Sequence, residues 1–237
     1  AGKLVSAIDE LGIRENTIII WTTDNGTTKN FRNKMNGREV RGGKATTWES
    51  GVNIPFIVNA PGIVPANIVS DALSDFTDLL PTFAELGGAK LPENWQLDGK
   101  SIASHLAGRS NDSDREWIMA MGGDPAKLTE KGVESMFEYR DRVIRDKQYK
   151  LFVGKDRKPE KLIDLHADPG EKNNLLSSAD VNVIAAKDKL MAVAASFPEK
   201  DASPKYDSTP AQLWDQTPKS MNDFIKAFND RRTKNKL

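Results

Sequence analysis

The stretch Thr17-Ile18-Ile19-Ile20-Trp21-Thr22-Thr23-Asp24-Asn25-Gly26 decides how the chain is read. Residues 17–23 are β-branched or apolar on both faces of an extended chain, the pattern of a strand buried in a parallel sheet. Upstream, Leu4, Ile8 and Leu11 fall at helical intervals, and Gly12 predicts the helix C-terminus. A helix feeding such a strand is one unit of an α/β sheet. Open α/β sheets bind ligands just beyond the C-terminal strand ends, and Asp24 stands at such an end. A carboxylate beside an amide oxygen is a hard, oxygen-only donor pair, suited to Ca²⁺ or Mg²⁺ rather than zinc. Taken alone, Asn-Gly after a strand usually makes a hairpin turn. Here no alternating strand comes at hairpin distance.

Instead the chain enters a polar loop, residues 24–50, rich in Gly, Asn, Lys and Arg. Structureless loops of that length inside a domain are uncommon and are often functional. It contains Arg41-Gly42-Gly43-Lys44, where two glycines permit close backbone approach to an anion and the lysine offers a point charge. By itself that is also the composition of a solvated basic loop. A second buried strand is expected over residues 54–58, stopping at Pro61-Gly62. Leu79, Leu80, Phe83 and Leu86 form a helical stripe closed by Gly87-Gly88. Pro81 places the start of that helix near Asp78, because proline is tolerated in a first turn.

Composition turns polar over residues 111–115, which places a boundary between a first domain, 1–112, and a second, 113–200. Short strands are expected at 117–121, 136–145, 149–153 and 161–165, with a hairpin turn at Asp146-Lys147 or Lys147-Gln148. This run predicts a small antiparallel sheet. Val183, Ile184, Lys187, Leu190, Met191 and Ala194 predict a helix packed on it. Residues 201–237 read as an extended tail with a short helix at Phe224, Ile225 and Phe228 and a solvated basic end at Arg231, Arg232, Lys234 and Lys236.

Positive and negative side chains balance at 34 each over 237 residues, so net charge gives no reason to invoke nucleic acid or a polyanionic surface. With no cysteine, disulfides, thiol nucleophiles and Cys-based zinc sites are impossible. No apolar run reaches the roughly 18 residues of a membrane span. His105 and His166 are expected to be structural or surface residues.

The order of features is specific: strand, Asp24-Asn25-Gly26, polar loop, Gly42-Gly43-Lys44, Thr46-Thr47-Trp48-Glu49-Ser50-Gly51, then Ile54-Pro55-Phe56-Ile57-Val58 and Pro61-Gly62. It resembles the type I sulfatases, the arylsulfatase-like branch of the alkaline phosphatase superfamily. Further matching segments are Thr77-Asp78-Leu79-Leu80-Pro81-Thr82, Leu97-Asp98-Gly99-Lys100-Ser101, Leu162-Ile163-Asp164-Leu165, Asp168-Pro169-Gly170-Glu171 and Asn173-Asn174-Leu175. The resemblance covers about residues 1–195. Ala45 stands where the family often has glycine, Ser50 replaces the first glycine of a common pair, and Asn53 stands where arginine is frequent.

The resemblance implies the C-terminal part of an alkaline-phosphatase-like mixed-sheet α/β domain, followed by a small α+β subdomain with an antiparallel sheet. It implies that Asp24 and Asn25 ligate a calcium ion, with magnesium the second choice, and that Lys44 contacts the sulfate and acts in catalysis. The family nucleophile is a formylglycine from a Cys/Ser-x-Pro/Ala-x-Arg motif, and no such motif occurs in this chain. The chain is therefore expected to be the C-terminal portion of an enzyme whose N-terminal portion carries the nucleophile and most metal ligands. The intact parent is expected to hydrolyse aryl or carbohydrate sulfate esters, in the periplasm or outside the cell, and the chain alone to be inactive. Two other readings stay open. One is a phosphatase, phosphodiesterase or phosphonate hydrolase of the same superfamily, against which Asn25 argues, since two-zinc members often carry Asp-His there. The other is a non-catalytic binding or assembly domain.

Overall fold

A computed structural model of the chain describes residues 1–35, 37–123, 126–129 and 132–201. The described residues divide into two compact units, residues 1–122 with 141–197, and those within 123–140 with 198–201. The expected tail at 202–237 lies outside the described residues.

The first unit opens with helix α1 (Gly2–Glu10), which ends where Gly12 adopts φ +67°. Strand β1 (Ile19–Thr22) comes next, then a hairpin of β2 (Arg32–Met35) and β3 (Arg38–Arg41), the one-turn helix α2 (Glu49–Val52) and strand β4 (Phe56–Asn59). A 3-10 turn at Phe76–Asp78 leads into α3 (Leu79–Leu86), as Pro81 predicts, and α4 (Ala103–Leu106) precedes β5 (Ile118–Met121). In the second unit, β6 (Ala126–Thr129) and β7 (Gly132–Ser135) form an antiparallel hairpin. There the Arg140 amide donates to Asp201 Oδ2 at 2.8 Å and the Asp201 amide to the Glu138 carbonyl at 2.7 Å. The first unit resumes with β8 (Arg142–Arg145), β9 (Tyr149–Val153), β10 (Pro159–Asp164) and helix α5 (Val181–Ser196).

β1 is not a strand of a parallel sheet. It pairs antiparallel with β4 in a two-stranded sheet, Trp21 opposite Ile57. The pattern of β-branched residues identifies a strand but carries no information on direction. Direction is set by the connection: the Gly26 amide donates to the Gly51 carbonyl at 2.9 Å, so the chain returns to the end of β1 it has just left. A parallel partner would need a crossover to the opposite end. Nor is β1 buried on both faces, because Trp21 and Ile57 share a face and are 48% and 56% exposed.

The main core lies in a four-stranded antiparallel sheet, ordered β10-β9-β8-β5. The expected antiparallel sheet is therefore present, with β9 at the expected residues, and Asp146 turns the β8–β9 hairpin by accepting the Gln148 and Tyr149 amides at 3.0 and 2.7 Å. The segment 136–145 forms a strand only from Arg142 onward. α5 packs on β8 and β9 through buried Ala186, Leu190 and Ala194, a four-residue spacing that keeps one face to the sheet. Its first turn is capped by Asp180, whose carboxylate accepts the Asn182 and Val183 amides. On this face of the sheet Ile144, Leu151 and Leu162, level with one another across β8, β9 and β10, are completely buried. The opposite face of the sheet carries Arg145, Lys150, Phe152 and Lys161, and the segment Trp48-Glu49 docks there, with Trp48 and Phe152 ring centroids 5.9 Å apart.

Candidate functional site

Asp24 and Asn25 lie just past the C-terminal end of β1, Asp24 exposed and Asn25 half-buried. Thr23 bends the chain by donating its hydroxyl to the Asn25 carbonyl at 3.2 Å. The next residues are stitched to the Gly-Gly-Lys segment by main-chain bonds. The Thr27 carbonyl accepts both the Gly43 amide at 3.0 Å and the Lys44 amide at 2.9 Å, while the Gly42 amide donates to the Phe31 carbonyl at 3.0 Å. Lys44 is thereby tied, by its own backbone, to the turn that begins at Asp24. Its side chain is exposed.

The glycines are there for space. A Cβ at Gly26 would fall on the Ser50 carbonyl, one at Gly42 on the Thr28 carbonyl, and one at Gly43 on the Ser50 hydroxyl and the Gly51 amide. Gly51 in turn lies against the Gly43 and Thr46 carbonyls. Two loops can cross at this distance only where side chains are absent. Thr46 closes the turn after Lys44 by donating its hydroxyl to the Gly43 carbonyl at 2.6 Å. Between them Ala45 adopts φ +62°, a left-handed conformation that glycine enters without cost.

Below the loop, α2 is held by charges far away in sequence. Glu171 Oε2 accepts the Glu49 amide at 2.8 Å. Lys150, fully buried, donates to Glu49 Oε1 at 2.9 Å and Glu171 Oε1 at 2.8 Å, and Arg145 pairs with Glu49 Oε2 at 2.7 Å. Asn53 adds a hydrogen bond to Glu49 Oε2 at 3.0 Å. Burial raises the Glu49 carboxyl pKa, but the Lys150 and Arg145 charges and these hydrogen bonds outweigh it and hold the value below the ordinary one.

Among the described residues, no group of three or more His, Asp or Glu side chains is arranged to hold a metal ion. Asp24 and Asn25 are suited in kind to a hard cation, but calcium takes about six to eight oxygens, so these two side chains could form only one side of its shell. His105 is not at this site: its Nε2 lies 2.8 Å from the Ser70 hydroxyl and its Nδ1 3.1 Å from the Ser110 carbonyl. His166 is exposed.

Two further segments brace each other. Asp78 is fully buried and accepts the amides of Lys100 at 2.7 Å and Asp75 at 2.9 Å. Thr82 accepts the Ile102 amide at 3.0 Å. Thr77-Asp78-Leu79-Leu80-Pro81-Thr82 and Leu97-Asp98-Gly99-Lys100-Ser101 are thus two halves of one joint. Sequence reasoning does not single out Glu49, Arg145, Lys150 and Glu171 as a group. Glu49 and Lys150 are 101 positions apart, and the available signals are Glu49 in Thr46-Thr47-Trp48-Glu49-Ser50-Gly51 and Glu171 in Asp168-Pro169-Gly170-Glu171, with nothing to pair them.

Comparisons with known proteins bear on the family of the chain. The family described as N-sulphoglucosamine sulphohydrolase, C-terminal, matches residues 43–195. An N-acetylgalactosamine-6-O-sulfatase of Bacteroides thetaiotaomicron is 33% identical over 184 residues, 73% of this chain and 35% of that protein. Human arylsulfatase A is 31% identical over 212 residues, 83% of this chain and 41% of the relative. The structure of BT4656 in complex with D-glucosamine-2-N,6-O-disulfate superposes with a TM-score of 0.62 at 24% identity, covering 82% of this chain and 36% of that one. The chain thus spans well under half the length of these relatives. Its matched region, its fold and its motif order together place it in the type I sulfatase family, as the C-terminal portion of such a protein.

Proposed function

We propose that this chain is one wall of a sulfatase active site, and that the complete protein hydrolyses sulfate esters of an aryl or carbohydrate alcohol. In this reading Asp24 and Asn25 give two oxygen ligands to a calcium ion, and the Lys44 ammonium contacts the sulfate. Sulfate ester cleavage develops negative charge on the transferring group and on the leaving oxygen. Lys44 stabilises that charge where it forms, and the bound dication would add Lewis-acid stabilisation. The nucleophile, a formylglycine by family resemblance, and the remaining metal ligands belong to a portion outside this sequence. Relatives that carry saccharide sulfates in their names favour a carbohydrate sulfate as the natural substrate. By the same resemblance the protein works in the periplasm or outside the cell.

The observation that carries the reading is the Thr27 carbonyl, which accepts the Gly43 and Lys44 amides and so ties the candidate sulfate-binding lysine to the turn bearing both candidate ligands. Turnover of 4-nitrophenyl sulfate tests it. The complete protein is expected to be active, the 237-residue chain alone inactive, and Lys44→Ala in the complete protein slower by roughly 10²–10³-fold, the scale for losing a stabiliser of developing charge. Unchanged turnover in Lys44→Ala removes the role assigned to this lysine.

A further inference from the structure

Glu49, Arg145, Lys150 and Glu171 form a balanced set of two anions and two cations, withdrawn from solvent and joined at 2.7–2.9 Å. Buried ionic clusters are weak evidence for stability, since apolar replacements of similar volume often serve as well. This one ends on the backbone of the candidate site. Glu171 Oε2 accepts the amide of Glu49, the first residue of α2. Two residues further, the Gly51 carbonyl accepts the Gly26 amide at 2.9 Å, and Gly43 is packed on the Gly51 amide with no space for a Cβ. A second tie runs beside the first: Lys161 donates to the Glu171 carbonyl at 2.7 Å and sits 4.4 Å above the Trp48 ring, next to Glu49. Glu171 itself is held at φ +56° and is only 3% exposed. A non-glycine residue keeps such a conformation where its surroundings over-determine it.

We propose that Glu171, Lys150 and Arg145 are positioning residues, which act through Glu49 and α2 to hold Lys44 and the Asp24-Asn25 turn in register. This rests on the reading of Lys44 and Asp24 given under Proposed function. In the proposed arrangement the four-stranded sheet supplies no atom to the substrate. It sets the height of α2, and α2 sets the crossing of the two glycine loops. Misplacing a charge stabiliser by about 1 Å can cost around 10²-fold in rate, so a small shift of α2 is enough to matter.

The test uses the complete protein with Glu171→Gln, Lys44→Ala and the double variant, reading kcat and KM for 4-nitrophenyl sulfate per folded molecule. Amide hydrogen exchange over residues 24–28 and 42–46 is measured alongside. The expected result is a fall in kcat of about 10–100-fold for Glu171→Gln, with little further fall when Lys44 is already alanine, because the two substitutions interrupt one path. Exchange at Gly26, Gly43 and Lys44 speeds up while β9 stays protected. Should Glu171→Gln not fold, Arg145→Gln removes a single leg of the network and is read in the same way. Wild-type kcat with unchanged exchange at those amides overturns the proposal, as do losses that multiply independently in the double variant. Normal turnover in Lys44→Ala alone overturns the catalytic reading instead, and the exchange data still decide whether the network holds the loop.

Discussion

Arg115 Nε donates to both carboxylate oxygens of Asp78 at 2.8 Å, across 37 residues of sequence, and Asp78 has no exposed surface. The same guanidinium reaches the Thr77 hydroxyl at 2.8 Å and the Asp98 carbonyl at 3.1 Å. One side chain thus fastens the start of α3 to the segment around Lys100. Arg115→Ala leaves the Asp78 charge buried without its cation, which costs about 3–5 kcal/mol. A thermal melt of the variant is expected to show Tm lower by on the order of 10 °C. A Tm within about 2 °C of the wild type would show that the amides of Lys100 and Asp75 suffice for Asp78.

Gly26→Ala is expected to be far more damaging than its size suggests. The added methyl would meet the Ser50 carbonyl and Gly51 Cα, both main-chain atoms that cannot rotate away. Overpacking of this kind costs about 1–3 kcal/mol, and here the strain falls on the turn that carries Asp24 and Asn25. Gly2→Ala is the control. Nothing lies within 4 Å of its Cβ position in α1, so the change is expected to be neutral or stabilising by up to about 1 kcal/mol. Denaturant unfolding of the two variants measures the contrast.

Acid sensitivity should centre on Glu49. Its folded-state pKa lies below the ordinary 4.5, because Lys150 and Arg145 outweigh the opposing effect of burial. A depressed carboxyl contributes stability that is fully present above the unfolded-state value and is lost as pH falls through the folded-state value. Stability against urea is therefore expected to fall as pH drops below about 4.5, and the dependence to be shallower in Glu49→Gln. An identical pH profile in the variant would assign the acid transition to other carboxylates.

The strands and helices with strong apolar periodicity are legible in the sequence. The core of residues 17–23, all of 149–153, the α3 stripe and the α5 helix lie where the residues place them. The β2–β3 hairpin, inside the stretch expected to be loop, is not legible in this way. Arg32, Asn33, Lys34 and Met35 are all exposed, so no burial pattern marks them. The available signal is Asn36-Gly37, a favoured hairpin-turn dipeptide. The direction of β1 differs from the expectation because β-branched composition is shared by parallel and antiparallel strands. Of the candidate site, Asp24, Asn25 and Lys44 can be named from motif order. The Glu49–Lys150–Glu171 cluster cannot, because ion pairs between distant positions leave no periodic trace.

The most direct measurement is the calcium dependence of 4-nitrophenyl sulfate turnover by the complete protein after chelation, wild type against Asp24→Ala. If Asp24 and Asn25 form one side of a metal shell next to Lys44, chelation abolishes wild-type turnover and calcium restores it. Asp24→Ala then needs at least about tenfold more calcium, the lower end of what loss of even an outer partner of a metal site costs in affinity. Turnover that survives chelation, or a calcium titration identical in the two proteins, would contradict the assignment of the metal site to this turn.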